Sequence, residues 1–276
     1  MEIDDAKGAK PLRLAICVKH VPTCDDIEVD EATGRIRRAD AECDINPCDL
    51  NAMEMANALK KSVADAGGAT IMAFSMGPDG ALASLKKCLA LGADEAYLLS
   101  DRKFAGCDTL GTARVLAHFL KAKGPFDVIF MGEMASDGAT GQVGPMTAAL
   151  LGVPDVISVA TISCGERAGQ FIVEQHIAEG VRRLLVKSPM VVTVPFGVNQ
   201  PKLPTLRMQM RANKIAIPVL TASELSADEL ARLAPKSIVT STRAIGTHAQ
   251  AELIEGDAKA IAAKIRELVE GGRQHV

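Results

Sequence analysis

Aromatic residues are scarce in this chain: its 276 residues include seven Phe, one Tyr and no Trp. Sites that hold bases or sugars by stacking need a platform of such rings, so the composition excludes that mode of binding. A planar ligand must therefore rest on aliphatic groups, methionine or the backbone.

A basic surplus is also missing, because 31 Lys and Arg residues oppose 34 Asp and Glu residues and leave a net charge of −3. Proteins that bind nucleic acid gain most of their affinity by neutralising phosphates, so we expect no nucleic-acid partner. The chain contains no run of about 18 apolar residues, so we expect no membrane span.

The seven cysteines are scattered and include no C-x-x-C pair, and the five histidines do not pair at metal-ligand spacing. Because zinc and iron–sulfur sites need clustered ligands, we predict no metal site and a reducing, cytoplasmic location. No G-x-S-x-G elbow or other catalytic signature occurs, so no catalytic residue is assigned and an enzymatic role stays open. Residues 1–11 are unlike an export signal or a transit peptide, and we expect them to be flexible.

Short β-rich runs alternate with helical patterns through the first half of the chain, which predicts a doubly wound, mostly parallel α/β sheet. The predicted strands cover residues 12–18, 69–76, 96–99 and 128–131. The predicted helices run from a cap at Asp49 to Gly67-Gly68, and over residues 80–91, 109–123 and 143–151. A hairpin with Thr33-Gly34 at its turn is predicted between residues 27–29 and 35–37.

After Pro154 the pattern changes to strands without helices between them. These strands, at residues 156–163, 171–177, 181–187 and 190–194, are expected to extend the same sheet with antiparallel strands. Residues 195–222 contain four prolines and little periodicity, so this stretch either wraps a partner or forms a binding loop. Helical patterns follow at 227–233 and 257–269, and the second carries an apolar stripe that packs on its own domain or docks on another subunit.

Ligands of an open parallel sheet bind beyond the carboxyl ends of the strands, where the strand order reverses. The richest stretch at such an end is GEMASDGATGQVGP, residues 132–145, which leads from a strand into a helix. Its glycines let backbone N–H groups approach an anion, and the helix start adds a favourable dipole. The stretch is either a phosphate cradle or a flexible connection, and it matches neither a P-loop nor the dinucleotide fingerprint.

Other residues near the strand ends have two interpretations each. Lys19 either faces a phosphate or is solvated, and Asn46-Pro47 either presents an amide to a nucleotide or forms a turn. Met76 offers soft surface at the crevice or fills the core. Asp108, Thr109 and Thr112 stand at a helix start, where such residues are usually caps.

Several segments together resemble the beta subunit of the electron-transfer flavoprotein, and they are closer to its electron-bifurcating group. The segments are LAICVKHVP (14–22), INPCDLNAMEMA (45–56), FSMGPDGALASLKKCLALGADEAYLL (74–99), DRKFAGCDT (101–109) and MGEMASDGATGQVGP (131–145). The resemblance covers nearly the whole chain and is strongest over residues 12–158.

This resemblance implies a heterodimer with an FAD-containing alpha subunit, in which the chain passes electrons between a flavin dehydrogenase and another redox partner. The family's beta subunits bind AMP in the classical group and a second FAD in the bifurcating group, so FAD is expected here, with AMP as the alternative. NADH-dependent bifurcation within a complex is the further implication. The chain itself would hold and tune a nucleotide and carry out no acid–base chemistry.

The cofactor contacts implied by the family's motifs fall on the strand ends and the glycine-rich stretch. They are Cys17, Lys19, Asn46, Pro47, Cys48, Asp49, Met76, Asp108, Thr109, Thr112, Gly132, Asp137, Gly138, Ala139, Thr140, Gly141, Gln142 and Val143. The chain differs from bifurcating members at Glu133-Met134, where they carry Arg-Gln, which predicts a shifted flavin potential.

The resemblance also implies a domain organisation. Residues 1–11 form a flexible N-terminus, residues 12–195 a nucleotide-binding α/β domain of adenine-nucleotide-binding type, and residues 196–276 a partner-recognition loop and a C-terminal arm. The alternative function is a stand-alone ATP- or AMP-binding regulatory domain of similar sheet topology.

Overall fold

The computed structural model describes residues 10–23, 29–30, 35–36, 42–237, 240 and 253–272. Its strands are β1 (Leu12–Cys17), β2 (His20–Pro22), β3 (Val29–Asp30), β4 (Arg35–Ile36), β5 (Cys43–Ile45), β6 (Ala69–Met76), β7 (Glu95–Leu99), β8 (Val128–Gly132), β9 (Asp155–Val156), β10 (Val159–Cys164), β11 (Gln170–Ile177), β12 (Gly180–Lys187), β13 (Met190–Val194) and β14 (Val219–Leu220). Its α-helices are α1 (Pro47–Ser62), α2 (Leu82–Leu91), α3 (Thr109–Lys123), α4 (Val143–Leu151), α5 (Leu206–Asn213), α6 (Ala227–Ala231) and α7 (Ala258–Gly272).

Seven parallel strands form the central sheet, in the order β14-β7-β6-β1-β8-β13-β9. From β1 the chain first builds outward through β6 and β7, and then returns to the other side of β1 to add β8. The strand order therefore reverses between β1 and β8, which confirms the predicted doubly wound parallel α/β sheet.

Both faces of this sheet are covered by helices, which explains why its strands read as nearly continuous apolar runs. Leu14 and Ile16 of β1 pack in one core cluster with residues of α1 and α2. Ala15 and Cys17, which point to the opposite face, pack with residues of α3 and α4. The alternation along β1 thus divides the core into two layers.

Helix α1 begins earlier than its predicted cap at Asp49. Asn46 is the residue before the helix and Pro47 occupies its first turn, where the missing N–H of proline costs nothing. Asp49 consequently lies inside the first turn, and the prediction that it caps the helix was wrong. The helix also ends at Ser62, before Gly67-Gly68, and these two glycines form a connection with positive φ.

The antiparallel strands form a sheet of their own and do not continue the central one. Strands β10, β11 and β12 make a separate three-stranded sheet, whereas β13 lies parallel to β8 inside the central sheet. The predicted strand at 156–163 is divided into β9 and β10, with Ser158 in the left-handed region at φ 52° between them. This bend lets the chain leave the central sheet, so the expected extension of that sheet was wrong.

The stretch from Pro195 to residue 222 contains regular structure that its low periodicity did not indicate. Helix α5 begins after Thr205, whose side chain accepts a hydrogen bond from Met208 N, and β14 adds an edge strand beside β7. The predicted helices near 227–233 and 257–269 are present as α6 and α7. Of the predicted hairpin, β3 and β4 pair antiparallel, and its turn at Thr33-Gly34 lies outside the described residues, as do residues 1–9.

Among the helices of the described ranges, none combines the length and the apolar character needed to cross a membrane.

Candidate functional site

The strand ends at the reversal point are joined by one carboxylate. Cys17 of β1 pairs with Met131 of β8, so the two strands end side by side. Asp49, in the first turn of α1, accepts hydrogen bonds from Lys19 N at 2.7 Å and from Gly132 N at 2.9 Å. The first turn of α1 thereby fixes the spacing of the backbone beyond both strands.

Asp49 is buried, with 5% of its surface exposed. Burial raises the pKa of this carboxyl to about 7, although the N–H groups of Lys19 and Gly132, the Asn46 side chain and the Lys19 charge all favour the ionised form. The group therefore changes its charge near neutral pH while it is bonded to the frame of the site.

Asn46 holds the start of the glycine-rich stretch. Its side-chain Nδ2 donates to the carbonyl of Met134 at 2.9 Å, and its Oδ1 accepts from Ser136 N at 3.0 Å. Its backbone N–H donates to the carbonyl of Lys19 at 2.9 Å. The side-chain amide of Asn46 is thus bonded within the protein. Of the two interpretations that the sequence allowed, a nucleotide contact or a turn, these bonds match the turn.

Close packing explains the glycine at position 132. A Cβ there would lie 2.1 Å from Asp49 Oδ1 and 2.8 Å from Cys48 Cβ, both on the first turn of α1. Further along the stretch Gly141 has a φ of 63° and Ala139 a φ of 47°, so the backbone turns through the left-handed region twice. The stretch is therefore shaped both by contact with α1 and by unusual backbone angles.

A cation and a carboxylate meet across the crevice. Lys19 Nζ lies 2.6 Å from Asp137 Oδ1, with 45% of the lysine side chain and 6% of the aspartate side chain exposed. The thiols of Cys17 and Cys48 are both buried, and burial raises the pKa of both. The lysine is thus the exposed member of an ion pair at the crevice, whereas the two thiols are withdrawn from solvent.

The start of α3 approaches the same stretch from the next loop. Asp108 caps α3 by accepting a hydrogen bond from Gly111 N at 2.8 Å, and Thr109 Oγ1 donates to Gln142 Oε1 at 3.0 Å. Gln142 is the residue before α4, so the loops that follow β7 and β8 are tied together.

The remaining predicted site residues lie around these contacts. Thr112 is half-buried in the first turn of α3, and its N–H donates to the carbonyl of Asp108 at 2.9 Å. Met76 ends β6 beside β1 and packs partly into the core on the α3 and α4 face. Three consecutive residues, Gly138, Ala139 and Thr140, are exposed, and Val143 begins α4.

Two contacts at the edge of the site were not foreseen from the sequence. Ser158 Oγ donates to Glu133 Oε1, which links the left-handed bend before β10 to the glycine-rich stretch. Asn51 on α1 donates to the carbonyl oxygen of Asn199 at 2.8 Å and accepts from Gly197 N at 3.1 Å. No sequence signal marks these contacts, because each depends on residues far apart along the chain.

Residues 132–143 and the strand ends form a cradle, and two surface cavities lie away from it. One cavity of about 360 Å³ lies between α3, α4 and α6 and is lined by residues such as His118 and Leu150. Another, of about 300 Å³, lies between α2 and α5 and includes Met208. A ligand at the strand ends would meet the backbone and the exposed residues 138–140 of the loop.

Comparison with known proteins places this geometry in a family. The family model described as "Electron transfer flavoprotein domain" matches residues 33–225. The beta subunit of the electron transfer flavoprotein of Thermoanaerobacterium thermosaccharolyticum is 34% identical over 251 residues, covering 90% of this chain and 94% of that protein. The corresponding subunit of Megasphaera elsdenii is 38% identical over 224 residues, covering 79% and 81%.

A third relative functions within a named enzyme complex. The "Caffeyl-CoA reductase-Etf complex subunit CarD" of Acetobacterium woodii is 36% identical over 191 residues, covering 69% of this chain and 71% of that protein. These similarities support the electron-transfer interpretation over a stand-alone regulatory domain. The chain belongs to the electron transfer flavoprotein family, among its beta subunits.

Proposed function

We propose that this chain holds FAD in the cradle beyond β1 and β8 and exchanges electrons with an FAD-containing alpha subunit. The observation that carries the proposal is the backbone of residues 132–136, which Asn46 and Asp49 hold from the buried side, while the following residues 138–140 are exposed. A frame fixed from below leaves its outer surface for a ligand.

The cradle supplies the groups that a nucleotide phosphate needs. The first turn of α4 presents backbone N–H groups that lack intrahelical partners, and the helix dipole favours an anion there. Lys19 adds a cation at the crevice, where it is paired with Asp137. A bound phosphate would share this cation with Asp137, so phosphate affinity should depend on Lys19.

FAD is the proposed occupant and AMP its alternative. The DRKFAGCDT and glycine-rich segments resemble those of the bifurcating group, and the chain has few aromatic residues with which to stack a planar ring. Thr109, Thr112 and the backbone would therefore hold the flavin. NADH-dependent bifurcation in a cytoplasmic complex with a dehydrogenase is the finer form of the proposal, and Glu133 would tune the flavin potential.

We propose that residues 196–276 serve the partners, while residues 12–195 hold the nucleotide. Residues 196–214 leave Phe196, Leu203 and Leu206 with 74%, 87% and 73% of their surfaces exposed. The same residues include Lys202, Arg207, Arg211 and Lys214 and no acidic residue. This basic and apolar surface suits a dehydrogenase whose contact surface is apolar and acidic.

Helix α7 offers a second surface for a partner. Ile265, Leu268 and Val269 lie on it with about half of their surfaces exposed. An apolar stripe left open on an amphipathic helix suits contact with another subunit, which we assign to the alpha subunit.

The proposal is tested by co-expressing the chain with an alpha subunit and extracting the bound nucleotides by acid denaturation. Two FAD per heterodimer are expected. One FAD with one AMP would show that the cradle holds the alternative ligand, and one FAD with no second nucleotide would contradict the proposal.

A lysine variant locates the second nucleotide. Lys19→Met should lower the occupancy of the second site, because it removes the cation next to the phosphate. Lys187→Met, on the exposed edge of the separate antiparallel sheet, is the matched control and should retain full occupancy. Equal occupancy in the two variants would place the nucleotide elsewhere.

A further inference from the structure

The C-terminal segment 226–237 lies along helix α3. His118 Nδ1 and Glu229 Oε1 are 2.8 Å apart, and Arg114 donates to the carbonyl of Arg232. Near the start of the helix, a Cβ on Gly111 would lie 3.2 Å from the carbonyl oxygen of Leu233. The segment therefore follows the helix from its middle to its first turn.

Asp108 bonds to this segment and to α3 with different oxygens. Its Oδ1 accepts from Gly111 N at 2.8 Å, which caps the helix. Its Oδ2 accepts from the backbone N–H groups of Lys236 at 2.7 Å and Ser237 at 3.1 Å. The N–H group of Gly111, together with those of Lys236 and Ser237, holds the pKa of Asp108 below its usual value, so the carboxylate stays ionised at neutral pH.

The next residue bonds to the glycine-rich stretch instead. Thr109 Oγ1 donates to Gln142 Oε1 at 3.0 Å, and Gln142 stands immediately before α4 at the end of the cradle. The consecutive residues Asp108 and Thr109 thus hold two segments, at Lys236 and at Gln142, that lie about 94 positions apart in the sequence. A shift of the first turn of α3 would move both segments together.

We propose that the first turn of α3 is a junction that couples the C-terminal segment to the nucleotide cradle, with Asp108 and Thr109 as its positioning residues. Asp108 holds Lys236 and Ser237, and Thr109 holds Gln142. A nucleotide that orders Gln142 then stabilises the arrangement in which the C-terminal segment is bound, and the coupling is reciprocal. This inference rests on the proposed nucleotide function, because it requires a ligand in the cradle.

Asp101 offers a matched comparison. Its Oδ1 caps a short helical turn by accepting from Lys103 N at 2.9 Å, and its Oδ2 accepts from Ala222 N at 3.0 Å. It therefore has the same double role as Asp108, but its neighbour Arg102 makes no hydrogen bond to the cradle among the contacts of the described residues. Asp101 should hold its own segment without coupling it to the nucleotide.

The experiment measures amide hydrogen exchange at Lys236, Ser237 and Ala222 in the full chain, without nucleotide and with AMP or FAD added. The variants are Asp108→Asn, Thr109→Val and Asp101→Asn. Asparagine still caps a helix through its oxygen, but its amide group cannot accept the N–H groups of the second segment. The capping role is thus kept while the hold on residues 236–237 is removed.

In the wild type, nucleotide should slow exchange at Lys236 and Ser237. Asp108→Asn should speed their exchange by about tenfold without nucleotide, since one or two net hydrogen bonds are lost, and should abolish the effect of nucleotide. Thr109→Val should weaken the nucleotide effect at residues 236–237 even at nucleotide concentrations that saturate the cradle, so that a loss of affinity alone cannot account for the change. Asp101→Asn should speed exchange at Ala222 alone and keep the nucleotide effect at residues 236–237.

Two results would overturn the junction: wild-type exchange rates at residues 236–237 in Asp108→Asn, or an undiminished nucleotide effect in Thr109→Val. A wild-type chain that binds neither AMP nor FAD would contradict the proposed function and the coupling with it. In that case the rates without nucleotide would still decide whether Asp108 holds the C-terminal segment, so the two failures are distinguishable.

Discussion

The cradle at the strand ends and the segment 196–214 use opposite arrangements of polar and apolar groups. In the cradle, the polar side chains of Asn46 and Asp49 are buried and bonded to backbone, and the outward surface is loop. In the segment 196–214, Leu203 and Leu206 are exposed, and a few polar anchors attach the segment to the domain.

This difference separates two ways of preparing a binding surface. A small ligand needs fixed backbone positions, which buried hydrogen bonds provide because breaking them is costly. A protein partner instead gains most from burying apolar side chains, which must stay exposed until it binds. Stability and function should therefore be coupled in the cradle and separable in the segment 196–214.

The largest effect is expected from Asp49→Ala. This variant leaves the buried N–H groups of Lys19 and Gly132 without their acceptor, which should lower the free energy of unfolding by about 3 kcal/mol. Urea denaturation checks the stability, and nucleotide extraction should show loss of the second nucleotide.

Glu54→Ala is the control on the same helix. Glu54 is paired with Lys202 Nζ at 3.5 Å and accepts a hydrogen bond from Lys202 N at 3.4 Å, and the side chains are 17% and 77% exposed, so the variant should cost about 1 kcal/mol. Equal destabilisation by the two variants would remove the distinction between the cradle and the segment 196–214.

The second-largest effect is the pH dependence of the unfolding free energy that Asp49 causes. The pKa of Asp49 is raised from 3.8 to about 7 in the folded chain, so the folded state keeps a proton that the unfolded state has lost between these values. The free energy of unfolding should therefore fall as the pH rises from about 4 to 7, by a few kcal/mol at most.

Asp49→Asn isolates this contribution. Both states of the variant are uncharged at position 49, so the difference in unfolding free energy between the wild type and the variant should shrink as the pH rises. Urea denaturation curves of both proteins at about pH 4.5, 6 and 7.5 measure this difference across the titration of Asp49. Parallel profiles would show that Asp49 titrates normally and that the frame is not desolvated.

Much of the fold could be predicted because local signals agree with the tertiary structure. Helix α3 has the predicted bounds, with Asp108 as its cap, and α4 ends before Gly152, which adopts a φ of 70°. Helix α5 could not be predicted in this way, since its eight residues are too few for a clear period. The separation of the two sheets depends on the bend at Ser158, and serine carries no signal for a positive φ.

The position of the candidate site could also be predicted, whereas the roles of its residues could not. The rule that ligands bind beyond parallel strands led to Lys19 and Gly132, which lie together in the structure. Burial is a property of the whole fold, so the sequence did not indicate that Asn46 and Asp49 face inward. The contact of Asn51 with Asn199 was missed for the same reason.

A smaller loss of stability is expected where helix α1, which carries part of the cradle, contacts the segment 196–214. Asn51 is buried on α1 and bonds to Gly197 and Asn199, at the start of the exposed segment. Asn51→Ala should cost about 1–3 kcal/mol and speed amide exchange at Gly197, because the buried partners lose their bonds. Nucleotide content should stay at the wild-type level.

Asn57→Ala provides the comparison within α1. Asn57 Nδ2 donates to the carbonyl of Leu91 at 2.9 Å, away from the exposed segment. The Asn57→Ala variant should have a lower free energy of unfolding but unchanged amide exchange at Gly197. If Asn51→Ala also lost its nucleotide, the cradle and the exposed segment would be one unit.

The smallest effect on stability, with the clearest effect on function, is expected from Leu206→Ser in the segment 196–214. Because 73% of this side chain is already exposed, its removal should change the free energy of unfolding by less than about 0.5 kcal/mol. If the side chain is buried by a dehydrogenase, the loss of its apolar surface should weaken that complex by about 1–3 kcal/mol, or roughly 5- to 150-fold in Kd.

Leu185→Ser, on the separate sheet with 64% exposure, should leave both quantities unchanged. Calorimetric titration of the heterodimer with its dehydrogenase measures this difference. Equal weakening by both variants would contradict the assignment of the partner surface to the segment 196–214, because the two leucines are similarly exposed and differ in their location.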